Sequence, residues 1–577
     1  MSWVSKPLDE EKVVTLSADH GIPEVIASLV SRLDLEGARQ IKRFLHPKLT
    51  HLNSPFTINR MDDAVNRLIQ AIEAKERVFA FGDYDVDGVT STALFVDVMR
   101  SLGVDVVFAV PRRSDDGYGL NPSVLEERVL CSDPGFDLVV TLDCGSNDFE
   151  TLEILSSREI DVLVIDHHQI RGDVQKNALI VNPHLEKDAE NPGKLLCSVA
   201  LTFKLMQGLL MRLRAQGMKE ADSLSLKDYL DLVALGTLTD LVPLIGENRI
   251  LVSHGLQRMG KSKHTGLQAL MDVCSLPYGK AMDVTDVSFK LGPRINAGGR
   301  MGDATVSVNL LLSKSFNESA KIAHELDLLN QNRQSTEREI YDQVLTYLSR
   351  YPLNKAIVLY DSDWHTGVVG IVSSRLARQY RMPAVVLGSE DSGIARGSVR
   401  SVEPINIVKA LESCDHLLEN WGGHPMAAGL SLKPENLEDF RSCFEKAVAC
   451  QLEEEKLDCQ DSKCTEIDVW IEAKDIDHKL LFALKSLGPF GICNPEPLLA
   501  MKRAELASKV SRFGADNFKF WVSLNNVEFD LMCLGWGFPS RIPEGKRPID
   551  LVFNLKWHEW KGRGYPQATI IDWRYSA

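Results

Sequence analysis

The sequence predicts a multidomain α/β protein that ends in a small β-barrel. Three observations carry this expectation. First, four short apolar runs at residues 78–81, 104–110, 138–142 and 162–165 are separated by helix-like stretches, the pattern of a parallel sheet with crossover helices. Second, strand-like 356–360 and 384–387 flank a Gly-punctuated helical segment, 367–378, and so form a second α/β unit. Third, beyond residue 465 the helical pattern gives way to short β-like runs at 518–524, 529–534, 549–557 and 567–572. Strand runs separated by turns fit a closed barrel, with an OB-fold the first choice.

In chain order, residues 1–60 are helical in character and read as a lead-in. Residues 61–255 carry the first sheet, with a helix expected over 91–102 after an acidic turn. Residues 256–350 are dominated by helical pattern and close with a long amphipathic segment, 318–350, which suits a connecting helix. Residues 351–455 form the second α/β unit. The charge-rich stretch 452–463 reads as a linker into the last domain, 456–577. At 577 residues the chain is long enough for several domains, each with its own core.

No early segment has the form of a secretory signal, and no apolar stretch approaches the roughly 20 residues of a membrane-spanning helix. A cytoplasmic protein with no membrane partner is expected. The 11 cysteines include no Cys-x-x-Cys spacing, so they read as reduced thiols in packed cores rather than a disulfide framework or zinc site. Net charge is −15, which argues against a nucleic-acid partner if taken alone. From Met501 to Ala577, however, 12 Lys+Arg stand against 8 Asp+Glu, a local balance of +4. That stretch also holds Trp521, Trp536, Trp557, Trp560 and Trp573, five of the nine tryptophans.

The chemistry-bearing residues follow the apolar runs. Gly82-Asp83-Tyr84-Asp85-Val86-Asp87-Gly88 follows the first, and alternating aspartates in an extended strand end would point their carboxylates the same way. Oxygen ligands of this kind suit Mg²⁺ or Mn²⁺. A calcium loop and a solvated acidic turn are the competing readings; the first lacks the Glu that such a loop needs at its twelfth position. The third run leads into Asp143-Cys144-Gly145 and the fourth into Asp166-His167-His168, while Asp240 stands in an otherwise apolar helical run at 230–244. A lone Asp240 would read as a helix cap. Mixed carboxylate and imidazole donors favour a Mn²⁺-like ion over Ca²⁺.

In combination these four segments resemble the motifs of the DHH phosphoesterase superfamily. Further segments are similar to its RecJ family in particular: Leu291-Gly292-Pro293-Arg294-Ile295-Asn296-Ala297-Gly298-Gly299-Arg300, Trp364-His365-Thr366-Gly367-Val368-Val369-Gly370-Ile371, Gly422-Gly423-His424-Pro425-Met426-Ala427-Ala428-Gly429, Leu487-Gly488-Pro489-Phe490-Gly491 and Asn494-Pro495-Glu496-Pro497. The resemblance covers nearly all of the chain after the first 50 or so residues. It implies a DHH catalytic domain with a parallel sheet, a long connecting helix, a DHHA1 α/β domain and a C-terminal OB-fold barrel.

The same resemblance implies a metal-dependent exonuclease acting 5′→3′ on single-stranded DNA in repair and recombination. Two divalent ions, Mn²⁺ or Mg²⁺, would be held by Asp83, Asp85, Asp87, Asp143, His167 and Asp240, with Asp143 bridging. Asp166 would orient His167, and His168 would face the scissile phosphate. Arg396, Ser398 and Arg400 would form a phosphate pocket in the second lobe, since guanidinium forks match phosphate oxygens. Arg294, Asn296 and Arg300 would contact the cleaved backbone, and His424 would line the cleft between lobes. In the barrel Trp557, Trp560, Lys561 and Arg563 are candidates for gripping the incoming strand; barrel core is the other reading for these aromatics.

The implied partners are single-stranded DNA with a 5′ end, single-stranded-DNA-binding protein and a helicase, with the enzyme a monomer. The alternatives are a DHH phosphodiesterase of short oligonucleotides or cyclic dinucleotides, a catalytically silent scaffold, and an inorganic pyrophosphatase. The sequence departs from the family pattern at Ser146 and Asn147, where an apolar residue is more usual, and at Cys493, where Gly is commoner.

Overall fold

The computed structural model describes residues 2–576 apart from 34, 36, 112–118, 171–176, 186–190, 351–353, 390–392, 456–463, 515–516, 525–529, 539–540, 545–546 and 561–562. The chain divides into two compact units. One comprises residues 54–240 and 255–460, the other 1–53, 241–254 and 461–577.

The first unit opens with β1 (Arg77–Gly82), α1 (Val86–Ser101), β2 (Asp105–Ala109), β3 (Leu138–Leu142), β4 (Asp161–Ile165) and β5 (Leu179–Val181). These strands form a parallel sheet in the order β2-β1-β3-β4-β5. The β-branched strands are buried on both faces, as crossover helices require; every residue of β3 is buried. Against α1 pack α2 (Ser198–Ala215) and α3 (Leu230–Thr239). Next come α4 (Gly292–Met301) and the 33-residue α5 (Phe316–Leu348), whose start is capped by the Ser315 hydroxyl accepting the Glu318 N–H.

A second sheet in the same unit uses β6 (Ile357–Tyr360), β7 (Ala384–Ser389), β8 (Ala395–Arg400), β9 (Asn420–His424) and β10 (Ala427–Leu432), with α6 (Thr366–Tyr380) packed on it. Its order is β9-β10-β8-β7-β6, parallel only between β6 and β7. Three strands of it, β8 to β10, had no counterpart among the runs read from the sequence.

In the other unit, five strands close a barrel: β11 (Leu499–Leu506), β12 (Asn517–Ser523), β13 (Leu531–Gly535), β14 (Ile549–Trp560) and β15 (Arg563–Tyr575). Their order is β11-β14-β15-β13-β12, and β12 pairs back to β11. Residues of β12 alternate, with Phe518, Phe520 and Val522 turned into the core. The same core takes Val13, Leu16, Ile26 and Val30, and the strand Ser2–Ser5 pairs in parallel with Cys464–Ile467. The first 53 residues are thus packed with the barrel, which their reading as a lead-in did not foresee.

Two local expectations are corrected. The first helix begins at Val86 rather than near residue 91, because the Asp85 carboxylate accepts the N–H groups of Asp87 at 2.9 Å and Gly88 at 3.1 Å and caps it there. The expected linker from 452 begins inside a helix, Leu437–Glu455, and the rest of it lies outside the described residues. Among the described residues no single helix is long and apolar enough to cross a membrane.

Candidate metal centre

Parallel register brings the ends of four neighbouring strands together. Asp83 donates its N–H to Leu142 O, Asp143 to Ile165 O and Asp166 to Val181 O, so Asp83, Asp143, Asp166 and Asn182 stand in a row beyond β1, β3, β4 and β5. Catalytic groups of open α/β sheets collect at this carboxyl edge.

The acidic turn is not an extended strand end. Asp85 caps α1 and Asp87 lies in its first turn, 1% exposed. A Cβ on Gly88 would lie 2.4 Å from the Asp83 carbonyl oxygen, so only glycine lets the helix start fold back over the strand end. Asp87 accepts two N–H groups from the start of α2, Ser198 at 2.7 Å and Val199 at 2.9 Å, an anion held by a helix N-terminus. Asp143 sits at φ +67°, a left-handed conformation that Asp tolerates better than most residues, and accepts the Ser198 hydroxyl at 2.8 Å.

His167 Nε2 lies 3.4 Å from Asp143 Oδ1, 3.5 Å from Asp240 Oδ2 and 3.9 Å from Asp87 Oδ2. Donor atoms of Asp87, His167 and Asp240 lie within 4.8 Å of one another, as do those of Asp83, Asp85 and Asp143, and those of Asp143, His167 and His168. The third group joins the other two, sharing Asp143 with one and His167 with the other.

Asp166 was expected to orient His167. Its Oδ1 instead meets His168 Nδ1 at 2.7 Å and accepts the backbone N–H of both His167 and His168. The turn puts the His168 ring, not that of His167, beside the carboxylate.

The electrostatics are those of a cation site. Burial, then the Asp85 charge, pushes the Asp87 carboxyl up to about 6. Burial together with Asp87 and Asp85 pushes Asp240 up to about 9, and burial with four neighbouring carboxylates raises Asp143 well above the usual range. His167 is held down at about 4 by burial and by His168. Burial would lower His168 too, but its hydrogen bond to Asp166 and the Asp166 charge prevail and raise it to about 9. Asp166 is correspondingly lowered, His168 outweighing its burial.

Buried His167 Nε2 and Asp240 Oδ2 make no hydrogen bond, although each lies among acceptors. Converging carboxylates, a neutral imidazole and orphaned donor atoms fit divalent cations with oxygen and nitrogen ligands. All six residues read from the sequence as ligands meet here. Sequence reasoning missed Ser198 and Asn182. Ser198 carries a helix-start signal, a Ser ahead of an apolar helical run; Asn182 follows a strand of only three residues.

In the second lobe Arg396, Ser398 and Arg400 alternate along β8 and share one face. A Cβ on Gly370 of α6 would be 3.3 Å from Ser398 and 3.6 Å from the Arg400 guanidinium, so that face looks onto α6. Arg400 donates to the Ser398 hydroxyl, which donates to Ala428 O at 3.2 Å. His424 ends the edge strand β9 and is exposed.

On α4, Arg294 pairs with Asp327 at 2.8 Å, Arg300 donates to Gly367 O at 3.3 Å, and Asn296 is half-buried. A Cβ on Gly299 would lie 2.9 Å from Tyr84 O, which seats α4 directly against the acidic turn. In the barrel, Trp557 packs against the core with its ring 5.0 Å from that of His478, while Arg563 is exposed. Lys561 and the side chain of Trp560 lie outside the described residues.

A parallel sheet that gathers aspartates and histidines at its strand ends, followed by an arginine-bearing second α/β lobe, defines a DHH-type phosphoesterase. Family comparison agrees: residues 77–237 match the DHH family, N-terminal domain, 353–449 the DHHA1 domain and 467–572 the RecJ OB domain. The chain belongs to the RecJ family. It is 34% identical over 577 residues to the single-stranded-DNA-specific exonuclease RecJ of Bacillus subtilis (strain 168), spanning 99% of this chain and 70% of that protein. The Escherichia coli (strain K12) RecJ is 33% identical, with 95% of each chain covered. Among solved structures, RecJ in complex with Mn²⁺ from Thermus thermophilus superposes with a TM-score of 0.80 at 27% identity, covering 100% of this chain and 79% of that one. The Mg²⁺ complex from the same organism gives 0.76 at 26% identity, covering 100% and 78%.

Proposed function

We propose that the chain is a metal-dependent exonuclease that degrades single-stranded DNA from its 5′ end. The observation that carries this reading is the meeting of Asp83, Asp85, Asp87, Asp143, His167 and Asp240 beside a His168 held by Asp166. Membership of the RecJ family supports both the substrate and the use of Mn²⁺ or Mg²⁺. Asp83, Asp85 and Asp143 would hold one ion and Asp87, His167 and Asp240 a second, with Asp143 the residue that would serve both.

Bound there, the ions would supply the positive charge that neutralises the phosphodiester and polarises it toward attack. The rest falls to the chain's own residues. Ser198 and the first N–H groups of α2 hold Asp143 and Asp87 in place. Asp166 takes Nδ1 of His168, so Nε2 is the nitrogen the ring presents to the phosphoester. A ring held in this way can hydrogen-bond a phosphate oxygen or, when protonated, give its proton to the leaving oxygen.

Direction rests on the second lobe. Arg396, Ser398 and Arg400 on β8 would hold a 5′-terminal phosphate, Arg294, Asn296 and Arg300 would contact the cleaved backbone, His424 would line the cleft between lobes, and the barrel would keep the trailing strand. The barrel argues against a phosphodiesterase of short oligonucleotides or cyclic dinucleotides. Work in mismatch repair, base excision repair and recombinational end processing, with a helicase and single-stranded-DNA-binding protein supplying the substrate to a monomeric enzyme, follows from the same reading.

Digestion of 5′- and 3′-labelled single strands tests it. Label should leave first from the 5′ end, and first release from the 3′ end would defeat the assigned direction.

A further inference from the structure

The two loops that carry Asp143 and His168 are fastened together by polar residues that no metal ligand accounts for. Asn182 follows β5 and is 2% exposed; Ser146, three residues after Asp143, is 1% exposed. The Asn182 amide nitrogen donates to the Ser146 hydroxyl at 2.9 Å and to the backbone carbonyl of His168 at 2.9 Å. Its amide oxygen accepts the His184 N–H at 2.9 Å, so each end of the side chain is engaged and its orientation is fixed. From the other loop, the Ser146 N–H donates to Asp166 Oδ2 at 3.1 Å and the Asn147 amide donates to Gln169 O at 3.0 Å.

Asp166 therefore takes the N–H side of the 166–168 turn while Asn182 takes its carbonyl side. Resting on the functional reading above, we propose that Asn182 and Ser146 are positioning residues that form a buried clasp and set the His168 ring relative to Asp143. The clasp accounts for Ser146 and Asn147, two polar residues after Asp143 that are both spent on joining the loops. Among the described residues the hydrogen bonds of the Ser146 and Asn182 side chains go to each other, to His168 O and to the His184 N–H, and to none of Asp83, Asp85, Asp87, His167 and Asp240. Loss of the clasp should therefore move His168 while leaving the cation site largely formed. Buried polar groups left without partners are costly, so the clasp also defines one arrangement of the turn rather than several.

The test compares Ser146→Thr, which keeps the hydroxyl, with the near-isosteric Ser146→Val, which removes it, and adds Asn182→Leu. In the full chain with Mn²⁺, single-turnover cleavage of a single-stranded oligonucleotide should fall about tenfold to a hundredfold in Ser146→Val and Asn182→Leu, as for other residues that orient a site's ligands. Ser146→Thr should stay within about threefold, a span small beside that loss. KM and the Mn²⁺ dissociation constant measured by calorimetry should stay within the same span in all three. In ¹⁵N-histidine-labelled, metal-free protein, the His168 Nδ1 resonance should shift in Ser146→Val and Asn182→Leu only.

Undiminished cleavage in Ser146→Val overturns the clasp, as does a rate loss matched by an equal loss of Mn²⁺ affinity. If Asn182→Leu fails to fold, the Ser146 pair decides alone. Wild-type protein without Mn²⁺-dependent cleavage would remove the functional reading and the clasp with it, whereas active wild type beside an unaffected Ser146→Val removes the clasp only.

Discussion

The Asp166 carboxylate lies 2.7 Å from His168 Nδ1 and is itself 1% exposed, so one buried acid fixes the face that the imidazole turns to the metal centre. Replacing it by Asn keeps the shape but removes the charge that holds the ring protonated. Asp166→Asn should lower kcat by about a hundredfold or more, in line with the loss of a positioned acid–base group. Rapid-quench cleavage of a single-stranded oligonucleotide at saturating Mn²⁺ reads this directly.

The carboxylates of the centre destabilise the metal-free protein. Asp87 and Asp240 have folded values raised to about 6 and about 9, above the ordinary carboxyl range. Such groups contribute stability below the unfolded value, and that contribution is lost as pH rises through the folded value. Chelated protein should therefore lose thermal stability between about pH 4 and pH 9. Asp240→Asn should raise the melting temperature of the chelated protein at pH 8, by about 1 °C for each kcal/mol of repulsion removed, while abolishing cleavage. Calorimetry of both proteins, with and without chelator, checks the sign.

The same raised values make metal binding a proton-releasing event. Titrating Mn²⁺ into weakly buffered protein at pH 7 should acidify the solution, and Mn²⁺ affinity should rise with pH up to about 9, where Asp240 loses its proton. A pH-stat titration measures the protons released per ion.

Ser198 supplies the hydroxyl that meets Asp143 and the N–H that meets Asp87. Ser198→Ala removes the first and keeps the second. Mn²⁺ affinity should fall about tenfold, the lower end of what such outer contacts are worth, with the helix intact by circular dichroism.

Trp521 is a better test of the barrel than truncation. Helical residues such as Val13, Leu16 and Ile26 share the barrel's core, so deleting residues 465–577 would strip them of their partners. Trp521 alternates with the core-facing Phe520 and Val522 on β12 and meets Tyr565 edge-on at 5.3 Å. Trp521→Ala should weaken binding of a long single strand in the presence of chelator by about fivefold or more, the lower end of base stacking, and leave cleavage of a trinucleotide unchanged. Fluorescence anisotropy gives the first number and product analysis the second.

How much of this was legible in the sequence differs residue by residue. Asp143 and Asp166 were readable because each follows a run of β-branched residues long enough to announce a buried strand, and parallel register did the rest. Asp85 and Asp87 were read as metal ligands for a geometric reason the structure replaces: they share a helix start, not a strand face. Asn182 was hidden because Leu179–Val181 is too short to show a period. The partner of Asp166 depends on the backbone path of one turn, which spacing does not reveal. The pairing of Ser2–Ser5 with Cys464–Ile467 spans most of the chain, and local pattern carries no signal of it.

The central claim is that the acidic and imidazole cluster at the strand ends is a metal-dependent phosphodiesterase centre. Single-turnover cleavage of a single-stranded oligonucleotide by wild type and Asp143→Ala, each with Mn²⁺ and with chelator, tests it most directly. Cleavage by the wild type with Mn²⁺ alone is predicted; undiminished cleavage by Asp143→Ala, or by wild type in chelator, would contradict it.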